Sequence, residues 1–294
     1  MRRVDLHIHS TASDGSRTPL ELTSMAFTKS LSLFSITDHD TFGGIAEGAA
    51  AAAEREMEFL PGIELSVDLE EKDLTAHLLG YFPGIAVPDL LSSSTPIGKA
   101  ISFVQGGRSR RNPKILEKLA DNGMHIEMET VKEIAGGDVV GRPHIAEAML
   151  NAGYIGTIRE AFDRFLAKGK PAYVERDRLP VVKAIEVILE SGGLPVMAHP
   201  GYIEMDSENL KGFFKRMKEY GLVGIETYYP AHTSSMVEML KSYARELNLV
   251  VTGGTDYHGR NNETAPLGGT DEGFHIDFED VKDFIALCGN HVRR

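Results

Sequence analysis

The sequence predicts an α/β barrel of parallel strands joined by helical crossovers and interrupted once by a helical insertion. Three observations carry that reading. Short β-branched or apolar runs alternate with helix-like segments along most of the chain. The length, 294 residues, suits a single barrel. Residues 96–170 break the rhythm, with helical patterns and no clear strand.

The first run, RRVDLHI (2–8), leads through a polar loop to a helix over 19–30, with Pro19 early, where its missing N–H is tolerated. LSLFSIT (31–37) is the second strand and a helix follows over 43–56. EMEFLPGIE (56–64) and LTAHLLGYF (74–82) are the third and fourth runs. Helical patterns then fall at 112–122, 127–135, 143–152 and 157–167. The alternation resumes with a helix over 179–191, the strand LPVMAH, a helix over 205–220, the strand LVGIETYY, a helix over 232–247, the strand LNLVVTGG and a last helix over 277–289. The expected organisation is one barrel made of 1–95 and 171–294, with 96–170 inserted so as to cover the active site.

Composition narrows the function classes. A net charge of −12 argues against stable binding to duplex nucleic acid, which depends on lysine and arginine neutralising phosphates. Small anionic substrates stay open, because bound metal ions can invert the local field. No apolar stretch is long enough for a membrane span and no leader is visible, so the reading is a cytoplasmic protein without a membrane partner. The single cysteine, Cys288, excludes an intramolecular disulfide and reads as a buried thiol. The densest basic patch, Arg108, Arg110, Arg111, Lys114 and Lys118, falls in the insertion and reads equally well as a solvated helix face.

Chemistry concentrates at the strand ends. His7 and His9 close the first run; Asp38, His39 and Asp40 close the second; Glu64 closes the third. His77 lies within the fourth, His199 follows PVMA, Glu226 follows LVGI, and Asp256 and His258 follow LVVTGGT. In a parallel barrel the C-terminal strand ends meet on one face, so these groups would converge. An H-x-H pair on a strand puts both imidazoles on one side. Imidazole with carboxylate suits zinc, manganese or iron, and six of the 11 histidines belong to this set. His125, His275 and His291 read as hydrogen-bonded core residues.

DLHIHSTASDG, ITDHDT, PGIELS, the His77 strand, AHP and GTDYHG resemble, in order and spacing, the motif series of the PHP (polymerase and histidinol phosphatase) family. GRPHIAEAML and AFDRFLAKGKPAYV resemble the insertion of its stand-alone phosphoesterases, which act on nucleoside 3′,5′-bisphosphates or on short 5′-phosphorylated RNA. The resemblance implies a distorted (β/α)7 TIM-like barrel and three divalent ions, Mn2+, Zn2+ or Fe2+. It places His7, His9, Glu64 and Asp256 on one ion, with Glu64 bridging to a second held by His77 and His199. Asp14, His39 and His258 would hold the third; Asp14 stands where other members carry histidine, and a carboxylate there still suits a divalent cation. Asp5, Asp38 and Asp40 would orient imidazoles.

On this reading Asp14 and Glu64 take part in catalysis through the metals, metal-bound hydroxide attacks phosphorus, and His232 in YYPAHT protonates the leaving oxygen or binds phosphate. Arg142 and His144, at a helix start with Pro143, would bind an anion, and Lys168 and Tyr173 would approach a second phosphate or a base. The expected reaction is removal of phosphate from a nucleoside 3′,5′-bisphosphate, or 5′-to-3′ cleavage of a short oligonucleotide. A histidinol phosphatase or another hydrolase on the same trinuclear site is the alternative, since a metal site does not choose its electrophile. A non-enzymatic metal-binding module would fit less well, because no expected ligand position has lost its donor.

Overall fold

The computed structural model describes residues 2–71, 74–137, 139–261 and 265–292. In chain order, β1 (Arg3–Ile8), α1 (Pro19–Thr28), β2 (Leu31–Ile36), α2 (Ile45–Glu54), β3 (Glu58–Phe59), β4 (Gly62–Asp68) and β5 (Thr75–Tyr81) form the first part. α3 (Val87–Leu91), α4 (Pro96–Asp121), α5 (Met128–Ala135), α6 (Arg142–Asn151) and α7 (Ile158–Ala161), with a π-helical turn over Phe162–Leu166, come next. β6 (Leu179–Pro180), α8 (Val181–Glu190), β7 (Leu194–Met197), α9 (Ser207–Glu219), β8 (Gly224–Tyr228), α10 (Ser234–Leu247), β9 (Val250–Gly253), β10 (Ile276–Asp277) and α11 (Lys282–Val292) complete it.

The local chemistry sets these boundaries. Thr18 and Glu21 form a reciprocal capping box at the start of α1, with Pro19 in the first turn. EMEFLPGIE is two strands instead of one. Pro61 has no N–H to donate to a ladder, and the chain leaves one sheet at β3 and enters the other at β4. The pattern at 112–122 is only the last part of a 26-residue helix, whose first half carries glycine and serine that mask its periodicity.

The strands form two sheets, ordered β10-β1-β2-β3 and β6-β4-β5-β7-β8-β9, that wrap into a distorted barrel. Isolated parallel bridges stitch the seams at Ile8–Tyr257 and His39–Glu64. The strands are not all parallel, as the alternation had implied. β5 runs antiparallel to both β4 and β7, because the six residues 69–74 are too few for a helical crossover, which needs about a dozen. The reversal has a consequence for the site: the beginning of β5, where His77 lies, faces the same way as the ends of the parallel strands.

Ile8, Phe34, Ile63, Leu78, Ile185 and Ile225 are among the side chains filling the barrel core. The insertion has its own core, in which Ile115, Leu119, Val131, Ile145, Met149 and Leu166 are buried. α4 belongs to both: Ile97, Ala100 and Val104 pack on the barrel, while Ile115 and Leu119 pack within the insertion. A rigid helix thereby fixes the insertion against the barrel mouth. Among the described residues no helix is long and apolar enough to cross a membrane.

Candidate active site

The backbone at the barrel mouth is held in conformations that L-residues rarely adopt. Six described non-glycine residues have positive φ; Ser30, Glu56 and Asn248 follow helix ends, whereas Asp40 (54°), His199 (22°) and Asp256 (52°) lie in the site. Such strain persists only where the surroundings over-determine it. Gly254 shows how close the approach is: a Cβ there would stand 2.2 Å from the Cβ of His7. Asp256 N–H then donates to His7 O (2.8 Å) and His9 N–H to Tyr257 O (2.9 Å), docking the Asp256 loop on the end of β1.

Glu64, fully buried, is the hub of the side chains. Its Oε2 lies 3.2 Å from His7 Nε2, 3.1 Å from His9 Nε2 and 2.9 Å from His39 Nδ1. Its Oε1 lies 2.9 Å from both His77 Nδ1 and His199 Nε2. Asp256 Oδ1 is 3.3 Å from His7 Nε2 and 3.1 Å from His9 Nε2, and Asp14 Oδ1 is 3.3 Å from His258 Nε2. Donor atoms within 4.8 Å of one another form three groups: His7, His9, Glu64 and Asp256; His9, Asp14, His39 and His258; and His39, Glu64 and His77.

The donor set fits divalent metal ions. Glu64 Oε2, His9 Nδ1, His39 Nδ1 and Asp256 Oδ1 are buried and make no hydrogen bond of acceptable geometry, although their neighbours stand close. Lone pairs buried without donors are costly in a protein interior, and a cation between them satisfies all at once. Burial alone would lower the pKa of His258, but the Asp14 and Asp256 carboxylates outweigh it and push it up to about 10. Burial, helped by His39 and His199, pushes His77 down to about 4 against the pull of Glu64.

Imidazole orientation comes from a group whose role the sequence did not reveal. Glu226 accepts from His7 Nδ1 (2.9 Å) with Oε1 and from His199 N–H (2.7 Å) with Oε2, so one buried carboxylate sets His7 with Nε2 toward Glu64 and holds the strained His199 backbone. His258 Nδ1 donates to Asp256 O (2.8 Å), leaving Nε2 toward Asp14. Asp5, Asp38 and Asp40, expected to orient imidazoles, bond other groups. Asp5 accepts from Thr255 N–H and Oγ1–H and from Gly268 N–H. Asp38 accepts from Ser10 and Ser13, fixing the loop after His9. Asp5 and Asp38 are short carboxylates whose partners are loop backbones and hydroxyls.

Asp40 receives arginines. Arg108 donates to its Oδ2 from Nε (2.9 Å) and Nη2 (2.5 Å), and Arg176 stands 3.4 Å from the same oxygen. The guanidiniums hold the Asp40 carboxyl well below its usual range in spite of burial. They border a cleft of about 180 Å³ that Arg111, Arg142, Arg178, Asp14, His39 and His77 also line. Arg178 pairs with Asp68 and Glu175. Among the described residues Arg111 and Arg142 form no ion pair: Arg111 donates to Asn112 Oδ1 and Arg142 to Leu166 O. Burial first, and then the neighbouring guanidiniums, push Arg111 down to about 8 and lower Arg142 from its ordinary value.

The basic patch is therefore not one solvated face. Arg108 and Arg111, one turn apart on α4, point inward, while Arg110 reaches out to Asp177. Arg176 and Arg178 escaped notice in the sequence, where the run ERDR has no periodicity; its position just before the strand-like LP is the only signal. Of the expected substrate groups, Arg142 lines the cleft and His144, which accepts from Gly141 N–H (3.1 Å), caps α6 beside it. Tyr173 supports Arg142, whose guanidinium lies 5.7 Å from its ring centre. Lys168 is exposed and does not line the cleft, because the chain carries it past the π-helical turn to the surface.

His232 does not sit as an acid would. Its Nδ1 donates to Thr227 O (2.9 Å) and its Nε2 accepts from Gly201 N–H (3.2 Å), so both nitrogens tie loops together. Burial lowers its pKa from the ordinary value, against the bond to Thr227 O. His125 is exposed, contrary to its reading as a core residue, and His275 and His291 are half-buried with backbone carbonyl partners. Cys288 is half-buried as well.

The PHP domain profile matches residues 5–166. A 5′-3′ exoribonuclease of Haemophilus influenzae is 29% identical over 95% of this chain and 96% of its own. A 3′,5′-nucleoside bisphosphate phosphatase of Chromobacterium violaceum is 29% identical over 92% of this chain and 93% of its own. A crystal structure of a metal-dependent phosphoesterase from Bifidobacterium adolescentis superposes with a TM-score of 0.83 at 26% identity, covering 97% of this chain and 96% of that one.

Proposed function

The chain belongs to the PHP-domain family and is a metal-dependent phosphoester hydrolase, and from that premise we propose that it breaks the P–O3′ bond of nucleotides that carry a second phosphate at the 5′ position. Its substrates are nucleoside 3′,5′-bisphosphates, yielding nucleoside 5′-monophosphate and phosphate, and short 5′-phosphorylated oligonucleotides cleaved from the 5′ end. The observation that carries this reading is the cleft in which two arginines without acidic partners among the described residues, the buried Arg111 and the half-buried Arg142, stand beside the histidine–carboxylate cluster. Guanidiniums withdrawn from solvent without a carboxylate call for an anion that does not have to be the reacting one.

Three divalent ions, Mn2+, Zn2+ or Fe2+, fit the cluster: one with His7, His9, Glu64 and Asp256, one with Glu64, His77 and His199, and one with Asp14, His39 and His258. The groups of mutually close donors support the first set fully; they add His9 to the third, and around His77 they gather His39 and Glu64 without His199, whose Nε2 nevertheless lies 2.9 Å from Glu64 Oε1. When bound, such ions supply Lewis acidity toward phosphoryl oxygens and acidify a coordinated water. Glu64 joins the two halves of the cluster, Glu226 fixes His7, and Asp14 faces His258 at the rim nearest the arginines. Arg111 and Arg142 bind the 5′-phosphate and so set which phosphorus faces the cluster. The insertion, 96–170, covers that position and limits water access. A cytoplasmic location, where nucleotides are abundant, belongs to the same proposal.

The test is turnover with manganese, zinc or iron(II) added in separate arms. Phosphate release from adenosine 3′,5′-bisphosphate and mononucleotide release from 5′-phosphorylated oligoribonucleotides are expected, with adenosine 3′-monophosphate much poorer. Faster hydrolysis of histidinol phosphate, or no preference for the 5′-phosphate, would overturn the assignment.

A further inference from the structure

Bisphosphate and oligonucleotide break the same bond and differ in one substituent. In each, water supplies an oxygen to phosphorus and a proton to the departing 3′-oxygen. In the oligonucleotide alone the phosphorus also carries the 5′-oxygen of the next nucleoside, and that nucleoside needs room at the cluster on a side other than the arginine cleft. The structure has such a space. A second cleft of about 220 Å³, lined by Thr75, Ala76, His77, His199, Tyr202 and Ile203, opens on the cluster. Thr75 and His77 also line the arginine cleft, so the two clefts share a wall at His77.

At the mouth of the second cleft stands Tyr202, 58% exposed although it is a large aromatic. Two neighbours fix its ring: His199 at 5.5 Å between centres and 65°, and Tyr229 at 5.7 Å and 83°. The turn carrying it, Pro200–Tyr202, follows directly from the strained His199. An exposed, pre-oriented ring beside a reaction centre is a surface on which a base stacks without regard to its identity. Resting on the proposed function, we infer that Tyr202 is the platform for the nucleobase that follows the scissile phosphate, and that it favours oligonucleotides over bisphosphates as substrates.

The experiment compares Tyr202→Ala and Tyr202→Phe with the unaltered protein. For Tyr202→Ala, kcat/KM on a 5′-phosphorylated di- or trinucleotide should fall roughly tenfold or more, while adenosine 3′,5′-bisphosphate is hydrolysed as before; Tyr202→Phe should behave like the unaltered protein. The ratio of the two activities within one preparation does not depend on the fraction folded. A second readout needs no turnover: with chelated, full-length protein, 2-aminopurine placed second in a 5′-phosphorylated trinucleotide should be quenched by the unaltered protein and by Tyr202→Phe, but not by Tyr202→Ala. Equal loss on both substrates, an unchanged ratio, or quenching that survives Tyr202→Ala would overturn the inference. An unaltered protein that cleaves bisphosphates but not oligonucleotides would also overturn it while leaving the first half of the proposed function standing; one that cleaves neither would bring down that function itself.

Discussion

The histidine–carboxylate cluster and the arginine cleft meet at Asp14, His39 and His77, yet they are held in different ways. The cluster hangs on strand ends and left-handed backbone, and Glu64 and Glu226 each serve two partners, so no imidazole moves alone. The cleft is assembled from α4, α6 and the return segment 171–178, and it is tied to the barrel by the apolar packing of α4 and by two carboxylates, Asp40, shared by Arg108 and Arg176, and Asp68, which pairs with Arg178. The difference separates two jobs. On the proposed function, a reaction centre that tolerates little displacement is built into the barrel, and the groups that would select the substrate are carried by α4, α6 and the return segment.

Glu64→Ala should break the cluster half outright. It removes the carboxylate that faces five imidazoles, and hydrolysis of every phosphoester should fall by more than about a thousandfold, beyond the loss of one electrostatic donor. Metal analysis of the purified variant should show a matching loss of bound ions. Retention of full metal content would mean that the hub is not a ligand.

Arg111→Met with Arg142→Met should break the other half selectively. Charge-assisted hydrogen bonds contribute about 1.5–3 kcal/mol each, so KM for adenosine 3′,5′-bisphosphate should rise by roughly a hundredfold or more. Hydrolysis of p-nitrophenyl phosphate, which has no second phosphate, should change less than about threefold by the same reasoning. Equal losses on both substrates would erase the division of labour.

The cluster was readable in the sequence because most of its histidines and carboxylates close an apolar run, and strand ends converge whatever the details of pairing. The reversal of β5 was not, since parallel and antiparallel strands share a period of two; only the shortness of 69–74 betrays it. The arginines were less legible still. Whether Arg108 and Arg111 face solvent or the cleft depends on the rotation of α4, which its glycine- and serine-containing first half conceals, and Arg176 and Arg178 lie in a segment with no period at all. The role of Glu226 depends on side-chain geometry, to which hydrophobic patterning is blind.

Glu226→Gln sharpens the comparison from within the cluster. The amide cannot accept equally from His7 Nδ1–H and His199 N–H, and loss of a carboxylate that orients a ligand typically costs 10–100-fold in metal affinity. Titration with zinc or manganese should show a loss of about that size, while KM for the bisphosphate at saturating metal stays close to that of the unaltered protein. A rise in KM without weaker metal binding would place Glu226 on the substrate side instead.

The smallest effect is expected at His232. A working general acid contributes about 10²–10⁴-fold to the rate, and its loss falls hardest on substrates whose leaving oxygen is basic. An alkyl 3′-oxygen needs a proton on departure; p-nitrophenoxide does not. Because both His232 nitrogens are bound to backbone groups of Thr227 and Gly201, His232→Gln should lower kcat less than about threefold on either substrate, and the ratio of the two rates should stay constant. A loss confined to the bisphosphate would return His232 to the role of acid, and would require the Gly201 loop to swing away and free Nε2 during turnover.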